Sequence, residues 1–277
     1  MAIRKEIVQV HGWPVHYEIA GEGEPLVLVH GLSESTRLWY RNLPELAEQY
    51  RVYLIDLPGF GAMHRFRRQF DLKQSGLWLA AWMQALELEA VNLVGHSMGG
   101  YVSMALAAMH PERVKRLVLV DSIGIPFNLP VRRLVYPALK AIARTIPSFW
   151  MCIGYDYLRA GPRMVLNASR QIVALEAADV LAALRVPTLV IWGENDDLVP
   201  LTLGRRLHAS LAGARLHVLP GTNHFCMFEK PREFNQALLA FLREQEAGAT
   251  SGVQADSNEK RDDDDGTTTR SPAATAD

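Results

Sequence analysis

Val91-Asn92-Leu93-Val94-Gly95-His96-Ser97-Met98-Gly99-Gly100 decides the reading of this 277-residue chain. A short apolar run with the character of a buried strand passes directly into Gly-x-Ser-x-Gly and then into a helical stretch, Tyr101 to Met109. A chain that goes from strand to helix in so few residues turns sharply, and Gly95 and Gly99 remove side chains that would collide across the turn. Ser97 is then held strained with its hydroxyl above the sheet, the context a nucleophile elbow requires. Backbone N–H groups at the start of the following helix point to where an oxyanion would form.

On either side of this segment, short apolar runs alternate with longer helical stretches, the pattern of an α/β domain with a mainly parallel sheet. The runs are Leu26 to Val29, Val52 to Ile55, Val91 to Val94, Leu117 to Val120, Leu189 to Trp192 and Leu216 to Leu219. Several are apolar at every position, as strands covered on both faces should be. Ile7 to Ile19 alternates instead and is expected as an antiparallel hairpin at the sheet edge. Gly76 to Leu88 has helical character, and Pro231 to Arg243 repeats apolar residues at three and four spacing. The rhythm breaks between about Ile123 and Val186, where Pro126, Pro130, Pro137, Pro147 and Pro162 precede Pro187 and no clear strand is found. An inserted helical cap is expected there, apolar and locally basic.

A serine hydroxyl is a poor nucleophile at neutral pH, so a base must take its proton and a carboxylate must orient that base. In a strand-to-helix elbow the expected chain order is Ser, acid, His. Leu189 to Trp192 ends in Gly193-Glu-Asn-Asp196-Asp197, which puts Asp196 on a loop at the carboxyl end of a strand; Leu216 to Leu219 leads to Gly221-Thr-Asn-His224-Phe225, which does the same for His224. Asp196 is expected as the orienting acid and His224 as the base. Asp197 adjoins Asp196, and Asp121 ends the preceding strand, so both are alternative acids. His96 flanks Ser97 on the wrong side to take its proton and is expected to pack or hydrogen-bond. His30 is expected to support the loop after the first parallel strand. Trp39, Phe60, Trp150 and Phe225 are candidates for the substrate pocket, beside Met98, Met227 and Phe228. Cys226 has no base placed for it and is expected as inert packing.

Quoted in order, His30-Gly31-Leu32, Asp56-Leu-Pro-Gly-Phe-Gly61, Gly95-His-Ser-Met-Gly-Gly100, Gly193-Glu-Asn-Asp196 and Asn223-His224 resemble the landmarks of the α/β-hydrolase superfamily, over nearly all of residues 1–246. The resemblance implies an α/β-hydrolase fold: a mostly parallel eight-stranded sheet flanked by helices, built from residues 1–122 and 187–246, with the helical cap 123–186 between them. It implies Ser97 as nucleophile, Asp196 as acid and His224 as base, with the oxyanion held by the backbone N–H groups of Leu32 and Met98. Serine rather than aspartate at position 97 argues against relatives that open epoxides or remove halides. His30-Gly31-Leu32-Ser33 lacks the longer glycine motif of one lipase class. The Gly-Pro-rich loop frequent in carbon–carbon bond hydrolases is also absent, since Leu32-Ser-Glu-Ser35 stands in its place.

The preferred expectation is therefore a carboxylic ester hydrolase acting on a hydrophobic acyl or aryl ester through an acyl-enzyme, with no cofactor or metal. Carbon–carbon bond hydrolysis is the alternative. A ligand-binding receptor on the same scaffold is a third reading, set apart by a burst of product with almost no turnover. The formal net charge of −1 gives no electrostatic case for nucleic-acid binding. Cys152 and Cys226 are too few for a disulfide framework, and no secretory signal or run of about 18 apolar residues is present, so a cytoplasmic protein without a transmembrane segment is expected. The excess of bases in the cap would also suit contact with an anionic surface. From Ala247 large apolar residues all but vanish and the net charge is −4, so 247–277 is expected as a disordered acidic tail that leaves +3 to residues 1–246.

Overall fold

The computed structural model describes residues 2–67, 70–126, 135–145 and 147–244. The tail expected from position 247 and the cap residues Pro130, Arg132 and Arg133 lie outside them. Residues up to Leu242 make one compact unit; the second unit begins at Arg243, and only Arg243 and Glu244 of it are described.

In chain order the elements are β1 (Arg4–Val10), β2 (Trp13–Ala20), β3 (Glu24–Val29), α1 (Leu43–Leu46), β4 (Tyr50–Ile55), α2 (Ser75–Ala85), β5 (Val91–His96), α3 (Met98–Met109) and β6 (Val114–Val120). They continue with α4 (Val135–Ala143), α5 (Pro147–Ala160), α6 (Pro162–Val173), α7 (Ala178–Ala183), β7 (Thr188–Gly193), α8 (Leu201–Ala209), β8 (Arg215–Leu219), α9 (Cys226–Glu229) and α10 (Pro231–Arg243). The eight strands form one sheet in the order β1-β2-β4-β3-β5-β6-β7-β8. β1 and β2 run antiparallel, as do β2 and β4, and every pairing from β4 to β8 is parallel. The hairpin closes where Val10 pairs with Trp13 across His11 and Gly12, both at positive φ, the backbone that suits a tight two-residue turn.

The apolar strand runs follow from burial on both faces. Leu26, Val27, Leu28 and Val29 are all fully buried; Leu26 and Leu28 pack with Leu43, Leu46, Leu238 and Leu242, while Val27 and Val29 pack with Met83, Val102 and Leu106. The period of two sends alternate residues to opposite layers, α1 and α10 on one side, α2 and α3 on the other. Each such side chain contributes about 1.5–3 kcal/mol over leaving it in water. On α10 the residues four apart, Phe234, Leu238 and Leu242, have no exposed surface, while Arg232, Glu233 and Gln236 face solvent.

Between β6 and β7 the described residues hold four helices, α4 to α7, and no strand. α6 lies close on the loop after β4: a Cβ at Gly59, whose φ is +89°, would stand 2.6 Å from Met164 Cε. Among the described residues no helix is long and apolar enough to cross a membrane.

Candidate active site

β5 ends inside the sheet, and Ser97 follows it with φ 50° and ψ −113°, a conformation costly for any residue with a Cβ. The turn is fixed from three sides: the Ser97 amide donates to Val120 O at 2.9 Å, and Ser97 O accepts from the amides of Gly100 (3.1 Å) and Ile123 (3.2 Å). Both elbow glycines are required by close approach. A Cβ on Gly95 would lie 2.3 Å from Gly99 O, and one on Gly99 would lie 2.4 Å from His30 O.

Ser97, His224 and Asp196 form a continuous relay, although 127 residues separate the first two in sequence. His224 Nε2 is 3.1 Å from Ser97 Oγ, and His224 Nδ1 is 2.7 Å from Asp196 Oδ2. The carboxylate only accepts, so Nδ1 carries a proton, and in the neutral form of the ring Nε2 is the acceptor turned to the serine hydroxyl. Asp196 Oδ1 accepts from the amides of Leu198 (2.8 Å) and Val199 (2.9 Å), which fixes the carboxylate in the loop after β7. Burial opposes the charged form of His224, but the Asp196 carboxylate, helped by Asp121 and Glu34, outweighs it and raises the pKa to about 9.

Asp121 stands beside this relay. Its Oδ1 accepts the Gly193 amide at 2.8 Å, whereas Oδ2 is buried with no hydrogen bond of ordinary length, the Cys226 thiol being its polar neighbour. Burial first, and then the Asp196 charge, push the Asp121 pKa well above the usual carboxylate value. Cys226 is likewise pushed well up by burial and by Asp121, which keeps it a thiol. Asp121, Asp196 and His224 offer ligand atoms within 4.8 Å of one another, but in Asp196 and His224 those atoms serve the relay. The other alternative acid, Asp197, points elsewhere: its Oδ2 pairs with Lys140 at 2.9 Å and Arg144 at 2.7 Å.

Met98 opens α3, so its amide has no acceptor within the helix, and Leu32 lies in the turn after β3. His30 buttresses that turn. Its Nε2 accepts from the Leu57 amide at 3.0 Å, so Nδ1 carries the proton and donates to Gly31 O at 2.7 Å. Asp56 ties the neighbouring loops by accepting from the amides of Thr36 (2.8 Å) and Ala62 (2.7 Å). α5 is latched to the same region through buried Asp156, which accepts from Ser35 Oγ at 2.5 Å and Arg37 at 3.0 Å.

The four pocket candidates separate. Phe225 packs against the His224 ring (5.2 Å between centroids), His96 and Phe149, and so borders the relay. Trp150, on α5, is exposed. Trp39 and Phe60 are corrections: neither has accessible surface, so neither lines an open pocket. Trp39 packs on Phe234, and Phe60 fills the space between His30 and Phe70, because a large ring following a tight loop is the natural plug beneath it. Sequence reasoning missed Glu34, which is buried against Gly31 and His96; the signal available was an acid inside the otherwise small, neutral turn Leu32-Ser-Glu-Ser35.

A strained serine at the carboxyl end of a central parallel strand, met there by a histidine and a carboxylate from the loops after β8 and β7, defines a hydrolase of the α/β type. A model of the alpha/beta hydrolase family matches residues 26–237, and the chain belongs to that family. It is 31% identical over 264 residues to a 2-hydroxy-6-oxo-6-phenylhexa-2,4-dienoate hydrolase of Comamonas testosteroni, covering 83% of this chain and 91% of that one. Among solved structures it is similar to a meta-cleavage product hydrolase from Pseudomonas fluorescens IP01 (TM-score 0.72, 26% identity, 87% of this chain and 98% of that one). It is similar also to a thermophilic esterase from Thermogutta terrifontis (TM-score 0.73, 25% identity, 87% and 98%).

Proposed function

We propose that the protein is a serine hydrolase of carboxylic esters with hydrophobic acyl or aryl groups. The observation that carries this reading is the assembled relay, with His224 Nε2 3.1 Å from Ser97 Oγ and Nδ1 held by Asp196. In the first step His224 takes the Ser97 proton as Oγ adds to the ester carbonyl; the oxyanion is received by the amides of Met98 and Leu32, and His224 returns the proton to the leaving alcohol. Water, deprotonated by the same imidazole, then releases the acid and restores Ser97. No step calls for a cofactor or metal. The helices α4 to α7 act as a cap over the site, latched to the loop after β3 by Asp156, and Phe225 borders the acyl pocket.

Hydrolysis of a carbon–carbon bond in a dienoate ring-cleavage product is the second reading, favoured by the 31% identity to the Comamonas testosteroni enzyme. The same relay serves both reactions, and the turn Leu32-Ser-Glu-Ser35 supports the ester reading, since it departs from the Gly-Pro-rich loop frequent in carbon–carbon hydrolases. The experiment is a direct comparison of kcat/KM on a p-nitrophenyl ester series, acetate to long chains, and on 2-hydroxy-6-oxo-6-phenylhexa-2,4-dienoate, with Ser97→Ala as control. Ser97-dependent multiple turnover with a chain-length optimum supports the ester reading. Preference for the dienoate by a hundredfold or more replaces it with the second, and a single stoichiometric burst points to the receptor.

A further inference from the structure

Glu34 and His96 form a buried pair that the relay itself does not use. Glu34 Oε2 accepts the Gly31 amide at 2.5 Å and lies 3.0 Å from His96 Nδ1; His96 Nε2, on the opposite edge of the ring, lies 2.9 Å from the carbonyl oxygen of His224. Both side chains are essentially without solvent. A peptide carbonyl only accepts, so His96 Nε2 carries a proton. Burial works against a charged Glu34, but His96, His30 and the Gly31 amide together hold its pKa below the ordinary carboxylate value. An ionised carboxylate also only accepts, so each ring nitrogen of His96 faces an acceptor. Gly31 makes room for this: a Cβ there would stand 2.9 Å from either Glu34 oxygen and 3.0 Å from His96 Nδ1.

We propose that the Glu34–His96 ion pair is a positioning device for the hydrolysis, holding the Gly31–Leu32 turn and the His224 backbone in one frame while cancelling a carboxylate charge beside the oxyanion hole. The inference rests on the reading of Ser97 as nucleophile and His224 as base. The pair spans the two halves of the site, since Glu34 grips the turn that carries the Leu32 amide and His96 grips the residue that carries the base. A bare carboxylate at that turn opposes the negative charge formed on the substrate oxygen, and the effect is strong where water is excluded. The His96 cation removes that opposition and satisfies the carboxylate, as a buried charge demands.

The test is the rate at which a fluorophosphonate modifies Ser97, followed against pH, because this reads the serine and its base without a chosen substrate. The groups facing His224 are Asp196 from the loop after β7, Asp121 from the end of β6 with Cys226 of α9 behind it, Glu34 from the loop after β3, and His96; only the last two are changed. His96→Ala strands the Glu34 charge, so labelling slows by about 100-fold and its acid limb moves to higher pH. Glu34→Gln/His96→Ala removes that charge, so about tenfold of the rate returns and the limb moves back. His96→Gln, which keeps an N–H for the His224 carbonyl but no charge, repeats the loss if His96→Ala does not fold. Equal rates and equal limbs in the single and double variants overturn the proposal, as does a single variant at the parental rate. Labelling that survives Ser97→Ala instead overturns the underlying reading of the site.

Discussion

His224 Nδ1 stands 2.7 Å from Asp196 Oδ2, while the other oxygen of that carboxylate is occupied by the amides of Leu198 and Val199. Asp196 is thereby fixed in place and in orientation, and the histidine can present only Nε2 to Ser97. Asp196→Asn keeps the shape but offers the ring either an acceptor or a donor, so kcat/KM falls by about 10³–10⁴. Asp121→Asn keeps an oxygen for the Gly193 amide and stays within about tenfold of the parent. Steady-state kinetics on both variants checks the assignment, and the reverse order of losses assigns the acid to Asp121.

Ser97→Ala and His224→Ala each lower kcat by about 10⁴-fold or more, and Ser97→Ala, which removes only a hydroxyl, leaves the melting temperature little changed. The double variant is no worse than either single, because the two groups act as one unit. A double variant that multiplies the two losses contradicts a shared step.

The backbone at Ser97 carries strain at φ 50° and ψ −113°. Glycine adopts that conformation freely, so Ser97→Gly is more stable than Ser97→Ala by about 1 kcal/mol. Chemical denaturation of the two inactive variants measures it; equal stability means that the elbow is unstrained.

The base must be neutral to act, and the His224 pKa is raised from 6.5 to about 9. Activity is therefore low where the ring is protonated and climbs with pH, with the midpoint of the acid limb in kcat/KM above 6.5. A midpoint at or below 6.5 in the parent contradicts the electrostatic description of the site.

The strands were legible because a parallel strand buried on both faces has no reason to be polar, and Leu26 to Val29 or Leu189 to Trp192 show this in sequence. α10 was legible because Phe234, Leu238 and Leu242 repeat at four. α8 was not: it is short and largely polar, and it is held by close approach, since a Cβ on Gly204 would meet the Trp192 ring at 2.5 Å. At the site, Asp196 and His224 could be read from strand-end loops, whereas aromatic residues such as Trp39 and Phe60 have the same composition whether they line a cavity or plug it. Glu34 resembles any surface acid until the fold brings it to His96, 62 residues away.

Asp156→Ala removes the carboxylate shared by Ser35 and Arg37, leaving the Ser35 hydroxyl without that acceptor and Arg37 with its contact to the Tyr155 ring of α5, which lowers stability by about 1–3 kcal/mol. Because the latch joins the cap helices to the loop after β3, KM rises more than kcat falls. Thermal denaturation and substrate kinetics report the two effects, and an unchanged KM with full stability means that the latch does not govern access.

The central claim is that Ser97 is the nucleophile. It is tested most directly by treating the protein with a fluorophosphonate and locating the adduct by peptide mass spectrometry while hydrolysis is followed. The account predicts one adduct per chain, on the peptide containing Ser97, with activity lost in proportion to labelling. An adduct on another residue, or hydrolysis that persists after Ser97 is fully modified, contradicts it.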